Sequence, residues 1–154
     1  MGSIDSMVSL VLVAHSDPLL SALVEVVRDL TRMPPACFTA GGTDDGRLGT
    51  SLAKVRRAIQ AGLAASDDGC LVLYDTGSAW LTIGFAMDDL PAEDRLRMEL
   101  SDAPLVEGTL AAAARAADGA ALAEVAVAAA SALETDKRPP VVADPAEVAM
   151  RHTA

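Results

Sequence analysis

The segment 8–13 (VSLVLV) is a short run of aliphatic and β-branched residues without regular polar alternation. This pattern is typical of a strand that is covered on both faces, as in a parallel sheet. Two further strand-like segments, 36–40 and 70–74, alternate with segments whose apolar residues recur at helical spacing. Such alternation implies crossover connections. The sequence therefore predicts an α/β fold, a three-layer sandwich with a mostly parallel central sheet and helices on both faces.

Polar and helix-breaking residues set the boundaries of the predicted elements. Residues 16–18 (SDP) can cap a helix after the first strand. A glycine-rich loop is predicted over 41–49 and a helix over 79–90. Residues 95–100 (RLRMEL) alternate polar and apolar side chains, which predicts a strand with one wet face near a sheet edge. Two alanine-rich helices, divided at residues 118–119, complete the order.

The 154 residues are enough for one ordinary domain. Residues 1–6 (MGSIDS) lack the order of a secretory signal, and we interpret them as a short sequence added in cloning, with Met7 as the natural start. Residues 7–134 are predicted to form the domain. From residue 135 the helical periodicity is lost and prolines are frequent, so residues 135–154 are predicted to be a flexible tail.

Composition excludes several kinds of partner. Twelve basic and 22 acidic residues give a formal net charge of −10, which disfavours binding to the phosphates of nucleic acids. No apolar run approaches the roughly 20 residues of a membrane span. Cys37 and Cys70 are too few for a disulfide scaffold and lie in apolar segments, so both are predicted to be buried free thiols. These features predict a cytoplasmic protein without a nucleic-acid or membrane partner.

Three polar segments fall at the carboxyl ends of predicted strands, where parallel sheets place their ligand sites. They are residues 15–17 (HSD), 41–43 (GGT) and 75–78 (DTGS). We expect these segments to lie close together although they are far apart in sequence. Within them, His15 and Asp75 are the candidate catalytic residues.

A carboxylate beside His15 would favour nucleophilic chemistry on the imidazole ring. Asp75 can accept a hydrogen bond from one ring nitrogen, which fixes the tautomer and leaves the other nitrogen as the nucleophile. An incoming phosphoryl group would need N–H and O–H donors from helix N-termini, glycine backbones and hydroxyl groups. The candidate phosphate-binding residues are Ser16, Gly41, Gly42, Thr43, Thr76, Gly77 and Ser78. Each of these residue types is also common in turns and caps. The prediction therefore depends on their occurring together at the ends of neighbouring strands.

Other chemistries are less well supported by the sequence. It contains no Walker-type lysine loop, no complete GxGxxG after the first strand and no GxSxG elbow. A metal site would require His15, Asp75 and carboxylates such as Asp17 to close around an ion, and no metal is expected. A response-regulator receiver remains open, because Asp75 ends a strand where a phosphoaspartate would lie. Against it, Ala14 and His15 replace the acidic pair expected after the first strand.

Five motifs occur in a distinctive order and spacing. They are VLVAHS at 11–16, GGTD at 41–44, GTS at 49–51, VLYDTGSAWL at 72–81 and DAPLVEGTLAAA at 102–113. Together they resemble the mannose-class enzyme IIA domains of the phosphotransferase system. Among these, the resemblance is to the phosphotransfer subunits of bacterial phosphoenolpyruvate-dependent dihydroxyacetone kinases.

The resemblance implies a mannose-class enzyme IIA-like fold, usually a homodimer, and a phosphohistidine relay. His15 would be phosphorylated on Nε2, with Nδ1 held by Asp75. The phosphoryl group would come from the histidine-containing phosphocarrier protein and pass to ADP on the nucleotide-binding subunit of the kinase. This chain would then bind no cofactor itself, since ADP and ATP stay on the partner subunit.

Three other functions remain open at this point. His15 could belong to a regulatory phosphohistidine module that docks on a regulator, Asp75 could be the phosphorylated residue of a receiver, or the domain could serve only for dimerisation. Trp80 is interpreted as a packing residue, with a surface anchor for a partner as the alternative. The final triose substrate is not defined by the sequence.

Overall fold

Strands and helices alternate along most of the chain, as predicted. The structure is a computed structural model that describes residues 6–138. Its elements are β1 Ser9–Ala14, α1 Asp17–Leu30, β2 Cys37–Gly41, α2 Leu52–Ala65, β3 Cys70–Tyr74, α3 Gly77–Asp88, α4 Ala92–Arg95, β4 Met98–Ser101, α5 Leu105–Ala117 and α6 Leu122–Ser131.

The four strands form one sheet in the order β2-β1-β3-β4. All of the described pairings are parallel, with β1 hydrogen-bonded to β2 on one side and to β3 on the other. Every residue of β1 is buried, which explains why its sequence lacks polar alternation. The predicted parallel sheet is therefore confirmed, and β1 lies at its centre.

Two apolar cores lie on the two faces of the sheet. Leu10 and Leu12 of β1 pack on one face against helices α1, α5 and α6. Val11 and Val13 point to the opposite face and pack against α2 and α3. Because successive side chains of a strand point to opposite faces, one central strand serves both cores. This arrangement is the predicted three-layer sandwich.

The helix caps that precede α1 and α2 follow the sequence signals. The Ser16 hydroxyl caps α1 and accepts a hydrogen bond from the backbone N–H of Leu19 at 3.4 Å. Ser51 caps α2 in the same way, accepting from the N–H of Lys54 at 3.2 Å. Both caps satisfy amides that the first helical turn leaves without an intrahelical partner.

The fourth strand is shorter than predicted. The expected strand at 95–100 begins only at Met98, because Pro91 starts the single-turn helix α4. The guanidinium of Arg97 then donates to the carbonyl oxygens of Leu63 and Ser66 at 2.9 and 2.6 Å, which fixes the turn before the strand. The predicted position was right, since β4 lies at a sheet edge.

Helix α3 begins two residues before the predicted start at 79. The backbone N–H groups of Ala79 and Trp80 both donate to the carbonyl oxygen of Thr76, at 3.0 and 3.3 Å. Thr76 is therefore the N-cap residue. As a consequence, Gly77 and Ser78 lie in the first helical turn rather than in a loop.

Both cysteines are free, as predicted, although only Cys70 is fully buried and Cys37 is half-buried. Burial raises the pKa of the Cys37 thiol to about 11 and that of Cys70 to about 12. Neither thiol is therefore ionised near neutral pH.

The predicted added sequence at 1–6 and the predicted tail at 135–154 lie largely outside the described residues. Ser6 accepts a hydrogen bond from the N–H of Asp68 at 3.2 Å, and Lys137 pairs with Glu107 of α5. The domain limits at 7 and 134 stay predictions. Within residues 6–138, no helix combines the length and the apolar character needed to cross a membrane.

Candidate active site

The site lies at the topological switch point of the sheet, where successive crossover connections run in opposite directions. From β1 the chain crosses to β2 on one side and then to β3 on the other. The crevice at the carboxyl ends of such neighbouring strands is the usual ligand site of an open α/β sheet. His15 is the first residue after β1, and Asp75 is the first residue after β3. Strand pairing thus brings together two side chains that are 60 residues apart in sequence.

The Asp75 carboxylate holds His15 at two points. Its Oδ2 accepts the backbone N–H of His15 at 2.8 Å. Both carboxylate oxygens lie 3.0 Å from Nδ1 of the ring. A carboxylate can only accept, so we assign the proton to Nδ1. Nε2 consequently carries the lone pair.

The electrostatics of the pair favour an ionised carboxylate. Burial raises the pKa of Asp75, but hydrogen bonds from the backbone and ring of His15 and from the N–H of Thr76 lower it by more. The net pKa is therefore below the ordinary value of 3.8. The carboxylate is negative at neutral pH and can stabilise positive charge on the imidazole ring.

Nε2 of His15 faces the first turn of α3. The Ser78 hydroxyl lies 2.7 Å from Nε2. Because Nε2 holds the lone pair, the hydroxyl donates to it. Thr76 lies on the other side of the ring, with its hydroxyl 3.4 Å from Nδ1 and its backbone N–H donating to Asp75 at 2.7 Å. Amides in the first turn of a helix lack intrahelical partners, so those of Gly77 and Ser78 are suited to bind an anion.

His15 is accessible from solvent. Its side chain is 31% exposed, and that of Asp75 is 17% exposed. The ring therefore lies in a shallow position that another protein can reach, with its orienting carboxylate more deeply placed.

The segment 41–43 contacts the backbone around His15 rather than its ring. A Cβ atom on Gly41 would lie 2.4 Å from the Cα of Asp17, so this glycine allows the close approach of β2 and the start of α1. Gly42 has φ +69° and donates its N–H to the carbonyl oxygen of Ala14 at 3.1 Å. The Thr43 hydroxyl donates to Asp45 at 2.5 Å and accepts from the N–H of Arg47 at 3.0 Å, within its own loop.

The predicted site residues thus divide into two groups. His15, Asp75, Thr76 and Ser78 are joined by direct hydrogen bonds, and Gly77 lies between the last two in the first turn of α3. Ser16, Gly41, Gly42 and Thr43 are engaged in capping, close packing and turn formation beside the site.

Sequence reasoning missed three supporting contacts. The N–H of Gly49 donates to the carbonyl oxygen of His15 at 3.0 Å. The Thr82 hydroxyl donates to the carbonyl oxygen of Ser78 at 3.1 Å and lies 2.8 Å from the hydroxyl of Thr50. The spacing of Ser78 and Thr82 was the available signal, since a helical threonine often bonds the carbonyl four residues earlier.

No group of three or more His, Cys, Asp or Glu side chains within residues 6–138 is placed to hold a metal ion. The other histidine, His152, is outside the described residues. The chemistry available to the described site is that of an oriented imidazole, a carboxylate and a helix N-terminus.

This fold and this site correspond to a known family. Residues 9–126 match the model of the EIIA-man family, described as the PTS system fructose IIA component. The chain therefore belongs to this family of phosphotransferase-system proteins, as the resemblance of its motifs predicted.

Relatives within the family give a more particular comparison. The chain is 40% identical over 135 residues to the PEP-dependent dihydroxyacetone kinase, phosphoryl donor subunit DhaM, of Escherichia coli K12, covering 85% of this chain and 28% of that protein. It is 34% identical over 107 residues to the subunit DhaM of PEP-dependent dihydroxyacetone kinase 2 of Listeria innocua, covering 70% of this chain and 84% of that protein. The chain thus spans little more than a quarter of the Escherichia coli relative.

Solved structures show the same fold. The structure of protein EF1359, described as of unknown function, aligns with a TM-score of 0.72 at 28% identity, covering 87% of this chain and 98% of that one. A sigma-54 interaction domain protein from Enterococcus faecalis aligns with a TM-score of 0.65 at 16% identity, covering 84% and 93% of the two chains. The second similarity concerns the fold alone.

Proposed function

We propose that this chain is a phosphohistidine relay, the phosphoryl donor subunit of a phosphoenolpyruvate-dependent dihydroxyacetone kinase. The observation that carries the proposal is the arrangement of His15. Asp75 holds Nδ1 with both carboxylate oxygens, while Nε2 carries a lone pair on a partly exposed ring. We infer the kinase system from the names of the relatives, and we infer the chemistry of His15 from the geometry of the site.

In the proposed reaction, Nε2 attacks the phosphorus atom of a phosphorylated carrier protein. The new Nε2–P bond forms as the bond between phosphorus and the carrier's histidine nitrogen breaks, with the two nitrogens in line. The ring gains positive charge during attack, and the proton on Nδ1 stays in its hydrogen bond to Asp75. The carboxylate therefore offsets the charge that develops.

The phosphoryl oxygens would be bound at the start of α3. The donors at that end of the helix are the amides of Gly77 and Ser78 and the hydroxyls of Thr76 and Ser78. The Ser78 hydroxyl now donates to the attacking lone pair at 2.7 Å. It must turn away from Nε2 before attack, and it can then donate to a phosphoryl oxygen.

The second half of the relay transfers the group to a nucleotide held elsewhere. A terminal oxygen of ADP, bound on the nucleotide-binding subunit of the kinase, attacks phosphorus, and the Nε2–P bond breaks. Under this proposal the chain binds no cofactor, since ADP and ATP remain on the partner, and it works as a cytoplasmic homodimer. The donor is the histidine-containing phosphocarrier protein.

The decisive test is phosphoryl transfer to the purified chain. Phosphoenolpyruvate, enzyme I and the carrier protein are supplied, and an acid-labile mass gain of one phosphate is measured. His15→Ala should abolish the gain, while His152→Ala, which changes the other histidine of the chain, should leave it intact. Labelling that persists in His15→Ala, or that maps to Asp75, would refute the relay.

Transfer onward is tested with the labelled chain. Adding the nucleotide-bearing kinase subunit should remove the phosphate from His15 and form ATP from ADP. Phosphate that stays on His15 in the presence of that subunit would instead favour a regulatory module.

A further inference from the structure

The outer face of α3 is apolar and uncovered in the described part of the chain. The helix has no charged residue before Asp88. Its inner residues are buried against the sheet and α2, yet Trp80, Leu81 and Phe85 are 50%, 55% and 63% exposed. A helix that is apolar on all sides is normally covered on all sides. Exposed apolar residues grouped on one face mark an interaction surface.

A shallow groove of about 210 Å³ runs along this face. Its lining consists of Trp80, Leu81, Gly84, Phe85 and Asp88. A Cβ atom on Gly84 would meet nothing within 4 Å, so no contact inside the chain requires a glycine there. Glycine is unfavourable in a helix interior relative to alanine. The missing side chain leaves room for a group that comes from outside.

The groove lies on the same helix as Ser78, and its lining begins at Trp80, two residues further along α3. Ser78, whose hydroxyl contacts Nε2, is followed at helical spacing by Leu81 and Phe85 on neighbouring positions of the helix surface. The seven residue steps from Ser78 to Phe85 span about 10 Å of helix axis. Helical side chains lean toward the N-terminus, so those of Leu81 and Phe85 lean toward the site. A protein interface of about 800 Å² per partner has a radius of about 16 Å, so one centred on His15 includes Phe85.

We propose that this face of α3 is the docking surface for the protein that donates the phosphoryl group to His15. The proposal rests on the relay proposed above and specifies the partner's surface. The donor inserts an apolar side chain over Gly84, between Trp80 and Phe85, and places a basic group opposite Asp88. The formal charge of −10 on the chain favours such a basic partner.

We choose the donor as the occupant because it is the partner that meets His15 before phosphorylation, while the Ser78 hydroxyl still contacts Nε2. That hydroxyl occupies the lone pair of Nε2 before phosphorylation. Ser78 belongs to the same helix as the groove, so a protein that binds there contacts the helix that controls access to Nε2. Docking of the donor and release of the Ser78 hydroxyl from Nε2 then both involve helix α3.

The test compares two phosphoryl donors on the same variants. The first donor is the phosphorylated carrier protein, and the second is phosphoramidate, a small molecule that needs no docking surface. The variants are Phe85→Ala and Gly84→Ala. The control is Val127→Ala, because Val127 is 69% exposed on α6, which packs on the opposite face of the sheet.

With the carrier protein, Phe85→Ala should lower kcat/KM about tenfold through KM, and Gly84→Ala should lower it by filling the groove. Val127→Ala should match the wild type, and phosphoramidate should label all of these chains equally. Wild-type kcat/KM in both α3 variants, or equal losses with both donors, would overturn the docking surface. A carrier-specific loss that accompanies a change from dimer to monomer, measured by sedimentation, would assign this face to a second copy of the chain and would also overturn it. A wild-type chain that phosphoramidate labels but the carrier does not would refute the donor itself, and the docking proposal with it.

Discussion

The Asp75 carboxylate binds both the backbone and the ring of His15. Oδ2 lies 2.8 Å from the backbone nitrogen, and both oxygens lie 3.0 Å from Nδ1. One side chain therefore fixes the position of the strand end and the orientation of the imidazole together. Under the proposed relay, the reactivity of Nε2 depends on this double contact of Asp75.

Replacing Asp75 with Asn should slow phosphorylation of His15 by about 100-fold or more, as for other histidines oriented by a carboxylate. The amide has the same shape, but it carries no charge to offset the positive ring, and its NH₂ group can favour the wrong tautomer. The rate is measured by rapid quench with the phosphorylated carrier protein. Asp45→Asn is the control, because that carboxylate bonds Thr43 and Arg47 rather than the ring. Equal rates in Asp75→Asn and wild type would contradict this role.

The lowered pKa of Asp75 predicts a pH dependence of stability. Its pKa in the folded chain is below 3.8, so the unfolded chain binds the proton more readily. The stabilisation by Asp75 is thus fully present above pH values near 3.8 and is lost as the pH falls through the lowered pKa. In urea unfolding, the free energy of unfolding of the wild type should exceed that of Asp75→Asn near pH 7, and this difference should become smaller in acid. A difference in free energy of unfolding that does not change with pH would show that the charge of the carboxylate does not cause it.

Ser78→Ala should reduce the rate of phosphorylation about tenfold, since one hydrogen bond to a charged phosphoryl group is lost. Ser78→Thr keeps a hydroxyl and should retain most of the rate. Rates with phosphoramidate should follow the same order, because the effect is at the site and not at a partner's surface. If Ser78→Ala is faster than wild type, the hydroxyl acts mainly by blocking the lone pair.

Gly41→Ala should destabilise the fold by about 1–3 kcal/mol, the usual cost of overpacking. The new methyl group would meet the Asp17 backbone at 2.4 Å, and neither β2 nor α1 can move without disturbing the sheet. Gly84→Ala is the matched control, because its methyl group meets nothing within 4 Å. Thermal unfolding should show a lower Tm for Gly41→Ala and an equal or higher Tm for Gly84→Ala.

The sequence predicted the parts of the site that strand positions determine. His15 and Asp75 each follow a buried apolar strand, and parallel pairing places such ends side by side, so their convergence could be predicted. The role of Thr43 could not be predicted, because its hydroxyl group finds its partners through the conformation of its own loop. The contact of Thr82 with the carbonyl oxygen of Ser78 had a signal in their spacing on α3. The start of β4 was misplaced because alternation in 95–100 continues through a helical turn that the guanidinium of Arg97 stabilises.

The strand order has a consequence for how the site comes into being. His15 and Asp75 meet only after the 60-residue separation between them has been closed by the pairing of β1 with β3, and closing such long loops is a slow part of folding. A chain that is still being synthesised, or that has lost its third strand, carries a histidine whose ring is free to rotate and to change tautomer. Under the proposed function, the reactivity of His15 toward phosphorus therefore depends on the pairing of β1 with β3.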